Sequence, residues 1–180
     1  MKLVFLLEER SMKELLDSIL PRIIPEAVPF QTIPHQGKHD LMKSIPIKLR
    51  AWNEPDVVFV IVHDQDANDC IALKKELSGI CGKTGKQFLI RIPCQELEAW
   101  YWGDLPAVSA AFGKDIAPLS KKRKFREPDA IKDPKEELKK LLPGMGQIEA
   151  ARKIGPHMTM ESNTSHSFQV FIRGIQKLVS

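Results

Sequence analysis

Short apolar runs occur at intervals along the chain and predict the strands of a sheet. They are rich in branched and aromatic residues and too short to cross a membrane, as is typical of strands buried on both faces of a parallel sheet. The clearest run ends directly in two aspartates, Asp64 and Asp66. The sequence predicts four strands in all, at residues 3–7, 27–33, 57–62 and 87–92.

Segments with helical periodicity separate these strands. Ser11 and Glu14 have the spacing of a capping box, which predicts the start of the first helix. Residues 40–52 form a second helical segment, and Pro46 is expected to interrupt it because proline removes a hydrogen bond from a helix interior.

A third helix is expected to begin after a cap at Asn68 or Asp69 and to stop at residues 78–79. Strands and helices therefore alternate, which predicts an α/β fold: a Rossmann-like parallel sheet of about four strands covered by helices on both faces. The third helix should face the core with three apolar side chains: Ile71, Leu73 and Leu77.

The second part of the chain is predicted to be helical. The last helix follows a cap at Asn163 or Ser165, and its continuous apolar face should dock on the core. We therefore expect an α/β core at residues 1–104 and a helical, basic C-terminal extension at residues 105–180 that packs on it. Further helices are predicted at residues 95–102, from Pro106 onward, at 133–143 and at 147–154.

Charge is distributed unevenly along the chain. Residues 1–120 carry 14 Lys and Arg against 16 Asp and Glu, whereas residues 121–180 carry 13 against 7. A basic segment beside an acidic site suits a polyanion such as a nucleic acid. Phosphate contacts are predicted for one loop lysine and for a basic run: Lys38, Lys121, Lys122, Arg123, Lys124 and Arg126.

The cysteines and the apolar residues at the start of the sequence indicate in which cellular compartment the protein is expected. Three cysteines without paired zinc spacing favour reduced thiols that pack as small apolar groups. The apolar start is short, lacks a small-residue cleavage site and runs at once into charged residues, and no segment could span a bilayer. We expect a cytoplasmic protein that has no membrane partner.

Acidic residues follow two of the predicted strands. Glu8 and Glu9 come after the first strand, and Asp64 and Asp66 come after the third. If these strands are neighbours at the switch point of a doubly wound sheet, the four carboxylates meet beyond their carboxyl ends, where open α/β sheets bind ligands. Because every candidate ligand is an oxygen, the pattern favours Mg²⁺ or Mn²⁺ over zinc.

This arrangement resembles the Toprim domain of topoisomerases, primases and overcoming-lysogenization-defect-type nucleases. The resemblance implies that Glu8 acts as general acid or base and shares the metal site with Asp64 and Asp66, which hold the ion. Glu9 stands where the Toprim pattern usually has a glycine.

A longer pattern resembles a small stand-alone bacterial family of uncharacterised function that is similar to Toprim nucleases. The resemblance implies action beside a partner ATPase in phage defence or plasmid loci. The pattern extends over three segments, residues 63–70, 91–100 and 163–168.

Further acids lie near these positions in the sequence. Glu98 follows the fourth strand and is a candidate metal ligand, while Glu96 and Glu9 are candidates for supporting positions beside the ligands. Asp69 could take the same supporting role, but a helix cap is the stronger expectation. His63 is expected to point away from the aspartates, because neighbouring strand residues face opposite sides.

Two functional hypotheses of different classes follow. The leading one is a metal-dependent nuclease or phosphoryl-transfer enzyme acting on nucleic-acid phosphodiesters. The alternative is a non-catalytic effector or regulatory subunit that keeps the fold and binds a partner ATPase. A phosphate-receiving response regulator fits less well, because such domains need a lysine at a later strand end.

Overall fold

The computed structural model describes residues 1–180. Four strands form one sheet: β1 (Lys2–Leu7), β2 (Phe30–Pro34), β3 (Val57–Val62) and β4 (Gln87–Arg91). The helices are α1 (Arg10–Ile19), α2 (Lys38–Ala51), α3 (Cys70–Gly82), α4 (Ala99–Trp102), α5 (Leu105–Phe112), α6 (Pro134–Leu141), α7 (Gln147–Ile154) and α8 (His166–Val179). Short 3₁₀ turns lie at Leu20–Arg22, Ala117–Lys121, Arg123–Phe125, Pro128–Ala130 and Gly155–His157.

The sheet is parallel throughout, in the order β2-β1-β3-β4. The predicted α/β fold with a parallel sheet flanked by helices is therefore confirmed. β1 and β3 are adjacent central strands, and their last residues, Leu7 and Val62, are paired. The residues that follow both strands consequently leave the same edge of the sheet side by side.

Alternate residues of the central strands pack into two separate cores. On one face Phe5, Leu7 and Val60 contact α1 and the helices of the C-terminal segment, in a cluster of 32 buried residues. On the other face Leu6 and Ile61 join the apolar side of α2 and α3, in a cluster of 12. Because both faces are covered, the whole of β3 is buried, as its unbroken apolar sequence predicts.

The capping-box prediction for the first helix is wrong. α1 begins at Arg10 after Glu9, which has the extended backbone of an N-cap residue. Ser11 lies inside the helix, and its hydroxyl donates to Glu9 Oε1 at 2.6 Å. β1 continues to Leu7, so the connection is only two residues long and the helix must start earlier than the pattern suggests.

Three other local predictions differ from the structure. β2 starts at Phe30 rather than at residue 27, because Val28 N donates to Pro25 O in a preceding turn. α2 continues through Pro46, since buried side chains before and after it hold the helix against the sheet. α3 continues past residues 78–79 to Gly82, and Ile71 is 80% exposed rather than facing the core. Its buried stripe is instead Leu73, Leu77 and Cys81.

The C-terminal segment packs closely on the sheet and its helices. α7 contacts α1, and α8 contacts β4. α7 occupies the predicted residues, and α8 begins after Ser165, whose hydroxyl accepts the Phe168 N–H at 3.2 Å. Gly103 ends α4 where this segment crosses it, and a Cβ there would lie 2.1 Å from Asn163 Oδ1. Only glycine allows that approach.

All three cysteines are free thiols. Burial raises the pKa of Cys81 and of Cys94 to about 11, so these thiols stay protonated at neutral pH. A membrane-spanning helix needs about 20 apolar residues, and none of the helices here has that length and hydropathy.

Candidate metal centre

Glu8 and Asp64 meet at the carboxyl ends of β1 and β3, as the sequence predicts. The Asp64 backbone N–H donates to Glu8 Oε2 at 3.0 Å. Burial raises the pKa of Glu8, and the neighbouring carboxylates of Asp66 and Glu9 act in the same direction, while His63 and the Asp64 N–H oppose them. Glu8 is therefore held in place by the backbone beside the residue with which it would share a metal.

The Asp64 carboxylate is buried without a full set of partners. Asp64 is only 3% exposed, and its Oδ1 accepts no hydrogen bond. Burial, reinforced by the carboxylates of Glu8, Glu98 and Glu9, raises the pKa of Asp64 well above its ordinary value. Desolvating a charged carboxylate is costly unless it is paired, coordinates a metal or takes up a proton.

The His63 ring contacts Glu8 and makes no hydrogen bond with the carboxylate of Asp64 or Asp66. Its Nδ1 lies 3.2 Å from Glu8 Oε2 and 2.6 Å from the Asp64 carbonyl oxygen. The imidazole is 2% exposed and orients the Glu8 carboxylate.

Glu98 enters the same cluster from the turn that begins α4. It is 3% exposed, and its Oε2 is buried without a partner, while Oε1 accepts from Gln147 Nε2 at 3.1 Å. Burial raises the pKa of Glu98, and Lys135 and Gln147 oppose the shift. The same Gln147 amide lies 3.4 Å from Glu9 Oε1, so one side chain of α7 links two of the acids.

Two further side chains surround the carboxylates. The Tyr101 hydroxyl is buried and has no partner, and burial beside Glu98, Glu9 and Asp64 raises the pKa of this phenol well above its ordinary value. Burial alone would lower the pKa of the Lys135 ammonium, but the carboxylates led by Glu98 outweigh it and raise that pKa. Lys135 therefore stays charged and offsets part of the negative charge.

Asp66 lies at the open side of the cluster. Its Oδ2 is 3.5 Å from Lys38 Nζ, so the predicted loop lysine does reach the acids. Asp66 belongs to an open cleft of about 420 Å³ lined by Asp66, Ala67, Gln95, Glu96, Asp133 and Pro134.

Backbone strain concentrates in this cleft. Four residues other than glycine have positive φ, and three of them line it: Asp66 at 51°, Gln95 at 60° and Asp133 at 50°. Such conformations are costly and cluster at ligand-binding sites. The cleft lies beside Asp66, whereas the buried Glu98 lines a separate small pocket together with Lys135 and Gln147.

Glu96 and Asp69 are engaged elsewhere. Glu96 Oε2 accepts the Lys135 backbone N–H at 3.1 Å, and Oε1 is 3.5 Å from Lys135 Nζ, so Glu96 fixes the start of α6 and supports the cluster indirectly. Asp69 caps α3 by accepting the Ala72 N–H at 2.8 Å, which confirms the expected cap. Neither carboxylate forms a hydrogen bond or an ion pair with Glu8, Asp64 or Glu98.

The predicted basic run is anchored beside the site. Trp102 stacks on Phe125 with ring centroids 4.3 Å apart, and its Nε1 donates to the Pro134 carbonyl at 3.0 Å. Lys124 pairs with Glu137 of α6. The other basic side chains of the run are exposed: Lys121, Lys122, Arg123 and Arg126.

The cluster offers oxygen ligands but no ready-made cage. As they stand, no three His, Cys, Asp or Glu side chains are arranged to hold one ion together. Mg²⁺ does not require such a cage, because it commonly takes one or two carboxylates and keeps several waters. Two oxygens of the cluster, Asp64 Oδ1 and Glu98 Oε2, are buried without a hydrogen-bond partner.

The comparisons with known proteins identify a family and go no further. No curated protein and no solved structure matches the chain. The sequence model of one family matches residues 7–176, which includes every residue of the carboxylate cluster. The chain therefore belongs to the DUF4276 family, a domain of unknown function.

Proposed function

We propose that this protein is a metal-dependent nuclease, or a related phosphoryl-transfer enzyme of Toprim type, acting on nucleic-acid phosphodiesters. The observation that carries the proposal is the pair of buried carboxylate oxygens without partners, Asp64 Oδ1 and Glu98 Oε2, in a cluster at two adjacent strand ends. Carboxylates in such surroundings are stable when a divalent cation neutralises them.

Each side chain has a role that follows from its position. Asp64 and Glu98 would hold Mg²⁺ or Mn²⁺, with Asp66 on the more exposed side of the cluster; the ion would supply Lewis-acid polarisation of a phosphodiester oxygen. Glu8, fixed by the Asp64 N–H and oriented by His63, transfers the proton to or from the attacking or leaving oxygen. Lys135 balances the charge from the side of α6.

Glu98→Gln is expected to weaken Mn²⁺ binding at least about 100-fold, because Glu98 is proposed as a direct ligand and residues beside a metal already cost about 10- to 100-fold. Glu96→Gln is the matched control, because it lies two residues away and the amide oxygen can still accept the Lys135 N–H. Calorimetry measures the Mn²⁺ affinity of both variants, and a plasmid-nicking assay measures their nuclease activity. Wild-type affinity in Glu98→Gln, or an equal loss in Glu96→Gln, would contradict the assignment.

The wild type itself decides between the two functional classes. Metal-dependent nicking that disappears with chelator supports the nuclease. A stable complex with a partner ATPase, formed by a wild type that neither binds metal nor nicks DNA or RNA, would instead favour the non-catalytic effector.

The exposed basic run should supply phosphate contacts. The double variant Lys121→Gln/Lys122→Gln is expected to weaken oligonucleotide binding and to reduce its salt dependence by up to about 0.9 in the log–log slope per lost phosphate contact. The control is Lys74→Gln/Lys75→Gln on the exposed side of α3, which removes the same charge elsewhere. Fluorescence anisotropy at several salt concentrations compares them; equal slopes for both variants would exclude the basic run as the contact.

A further inference from the structure

One arginine is partly buried without a partner for its charge. Arg91, the last residue of β4, is the only arginine of the chain that is not exposed. It forms no ion pair: its Nη1 donates to the Ile90 carbonyl at 2.8 Å, and its Nε is buried without an acceptor. Because a desolvated cation without a counterion is costly, this guanidinium is suited to binding an anion.

Helix α8 holds the guanidinium in place. The group lies against Gly174, where a Cβ would come within 2.0 Å of Arg91 Nη2 and 2.5 Å of Nε. A larger residue at position 174 would therefore displace it. Nη2 also makes no hydrogen bond, but unlike Nε it is accessible to solvent. The guanidinium is thus fixed along one edge by the helix and can be reached by a ligand at Nη2.

The helix beside Arg91 adds positive charge and no negative charge. Lys177 lies one turn after Gly174 on the same side of α8, Arg173 directly precedes that glycine, and both basic side chains are exposed. α8 contains no acidic residue. β4 is an edge strand, so no further strand covers this side of the sheet. An anion can therefore approach Arg91 from the solvent.

We propose that Arg91 binds a phosphate of the nucleic-acid backbone near the phosphate that is cleaved. This inference rests on the nuclease function proposed above. Arg91 pairs with Val62, the last residue of β3, so it lies at the same edge of the sheet as Asp64, which follows Val62 by two residues. A guanidinium donates parallel hydrogen bonds to phosphate oxygens, and its charge offsets theirs.

The distribution of the basic side chains favours a nucleic acid over an acidic protein. A nucleic acid carries a phosphate at every nucleotide, so the exposed Arg173 and Lys177 can contact neighbouring phosphates of the strand that Arg91 binds. A single carboxylate of a partner protein would use Arg91 alone. Because a carboxylate fits the same donors, the experiment includes an acidic peptide as a second probe.

Arg91→Met removes the donors and the charge but keeps a long apolar side chain. Its affinity for a short fluorescent oligonucleotide in Ca²⁺ should fall about 10- to 100-fold, as expected for a lost hydrogen bond between charged groups. Anisotropy measures that affinity without requiring cleavage. Arg50→Met is the control, because Arg50 is exposed in the last turn of α2. Wild-type affinity in Arg91→Met, or an equal loss in Arg50→Met, would overturn the proposal.

Gly174→Ala displaces the guanidinium without changing the charge of the protein. It should weaken oligonucleotide binding as Arg91→Met does, and it should keep or raise the melting temperature because alanine favours a helix. Arg91→Met should also keep the melting temperature, since the charge it removes has no counterion. Wild-type affinity in Gly174→Ala, or a lower melting temperature of Arg91→Met with unchanged binding, would make Arg91 a residue that only packs α8 against β4.

An oligoglutamate peptide with the same number of charges as the oligonucleotide separates the two kinds of anion. We expect Arg91→Met to change its binding far less than that of the oligonucleotide. An equal loss for both probes would assign the site to an acidic partner protein and overturn the proposal. A wild type that binds the oligonucleotide through Arg91 but neither binds metal nor nicks would support the phosphate contact and remove the nuclease function instead.

Discussion

The variant Asp64→Asn is expected to lose metal binding and nuclease activity while becoming more stable than the metal-free wild type. As a direct ligand, Asp64 should matter more than residues beside a metal, whose loss costs about 10–100-fold in affinity. The Kd for Mn²⁺ should therefore rise at least about 100-fold. Stability should change in the opposite direction because the buried carboxylate, 3% exposed and with Oδ1 unpaired, is unfavourable when charged.

The pH dependence of this gain gives a sharper test. Since the pKa of Asp64 is raised in the folded protein, the wild type binds a proton more readily when folded and gains stability as the pH falls. The advantage of Asp64→Asn should be about 1–3 kcal/mol above the raised pKa. It should shrink as the pH falls through the raised pKa and disappear below the ordinary carboxyl pKa, near about 4.

Guanidinium unfolding in chelator at several pH values measures this difference, with Asp69→Asn as the control because its carboxylate only caps α3. A variant that is less stable than the wild type at pH 8, or that still binds Mn²⁺ with wild-type affinity, would refute the assignment of Asp64.

Trp100→Ala is expected to destabilise the protein by about 3–5 kcal/mol, a large share of the roughly 5–15 kcal/mol that holds a domain folded. Trp100 is fully buried, and its ring centroid lies 5.2 Å from that of Phe168 and 5.1 Å from that of Phe171. Its Nε1 donates to Ser167 Oγ at 3.0 Å. The substitution removes the packing of α4 against α8 and leaves that serine without one of its donors.

Ile71→Ala is the control, because this side chain is 80% exposed and its loss should change stability by no more than about 0.5 kcal/mol. Denaturant midpoints at constant slope compare the two variants. A small effect at Trp100 would show that α8 does not depend on α4 for its position. A large effect at Ile71 would contradict the orientation of α3.

The first half of the site could be predicted because it follows from strand topology. A parallel sheet with β1 beside β3 brings Glu8 next to Asp64 whatever the surrounding loops do. The sequence therefore showed this part of the site as acidic residues that directly follow two of the predicted strands. The contact between His63 and Glu8 could not be predicted, because strand alternation does not determine which hydrogen bonds an imidazole makes.

The other half could not be predicted, since it depends on how distant helices dock. Gln147 contacts Glu98 and Glu9 only because α7 packs on α1, and a lone glutamine carries no sequence signal of that contact. Lys135 is likewise placed by Glu96, which fixes the start of α6. The spacing of three residues between Glu98 and Tyr101 could have indicated that the two side chains lie on the same side of a helical turn. Tyr101 stands between Trp100 and Trp102, however, and such a run of aromatic residues is typical of packing.

Element boundaries failed where packing competed with local preference. Ser11 and Glu14 match a capping box, yet the short connection after β1 gives the cap position to Glu9. Pro46 and Gly79 are usually helix breakers, but the apolar stripes of α2 and α3 outweigh them. Local signals set where an element is possible, and burial decides how far it extends.

The contact between Glu9 and Gln147 joins residues 138 positions apart, which affects the order in which the protein folds during synthesis. The acids at the strand ends leave the ribosome long before α6 and α7 do. In the growing chain their carboxylates are therefore hydrated and lack their later partners. Closing so long a loop is slow and comes late in folding. The arrangement thus ties the completed acid cluster to the arrival of α7, and a chain interrupted before that helix would lack the donors that hold Glu98 and Glu9 together.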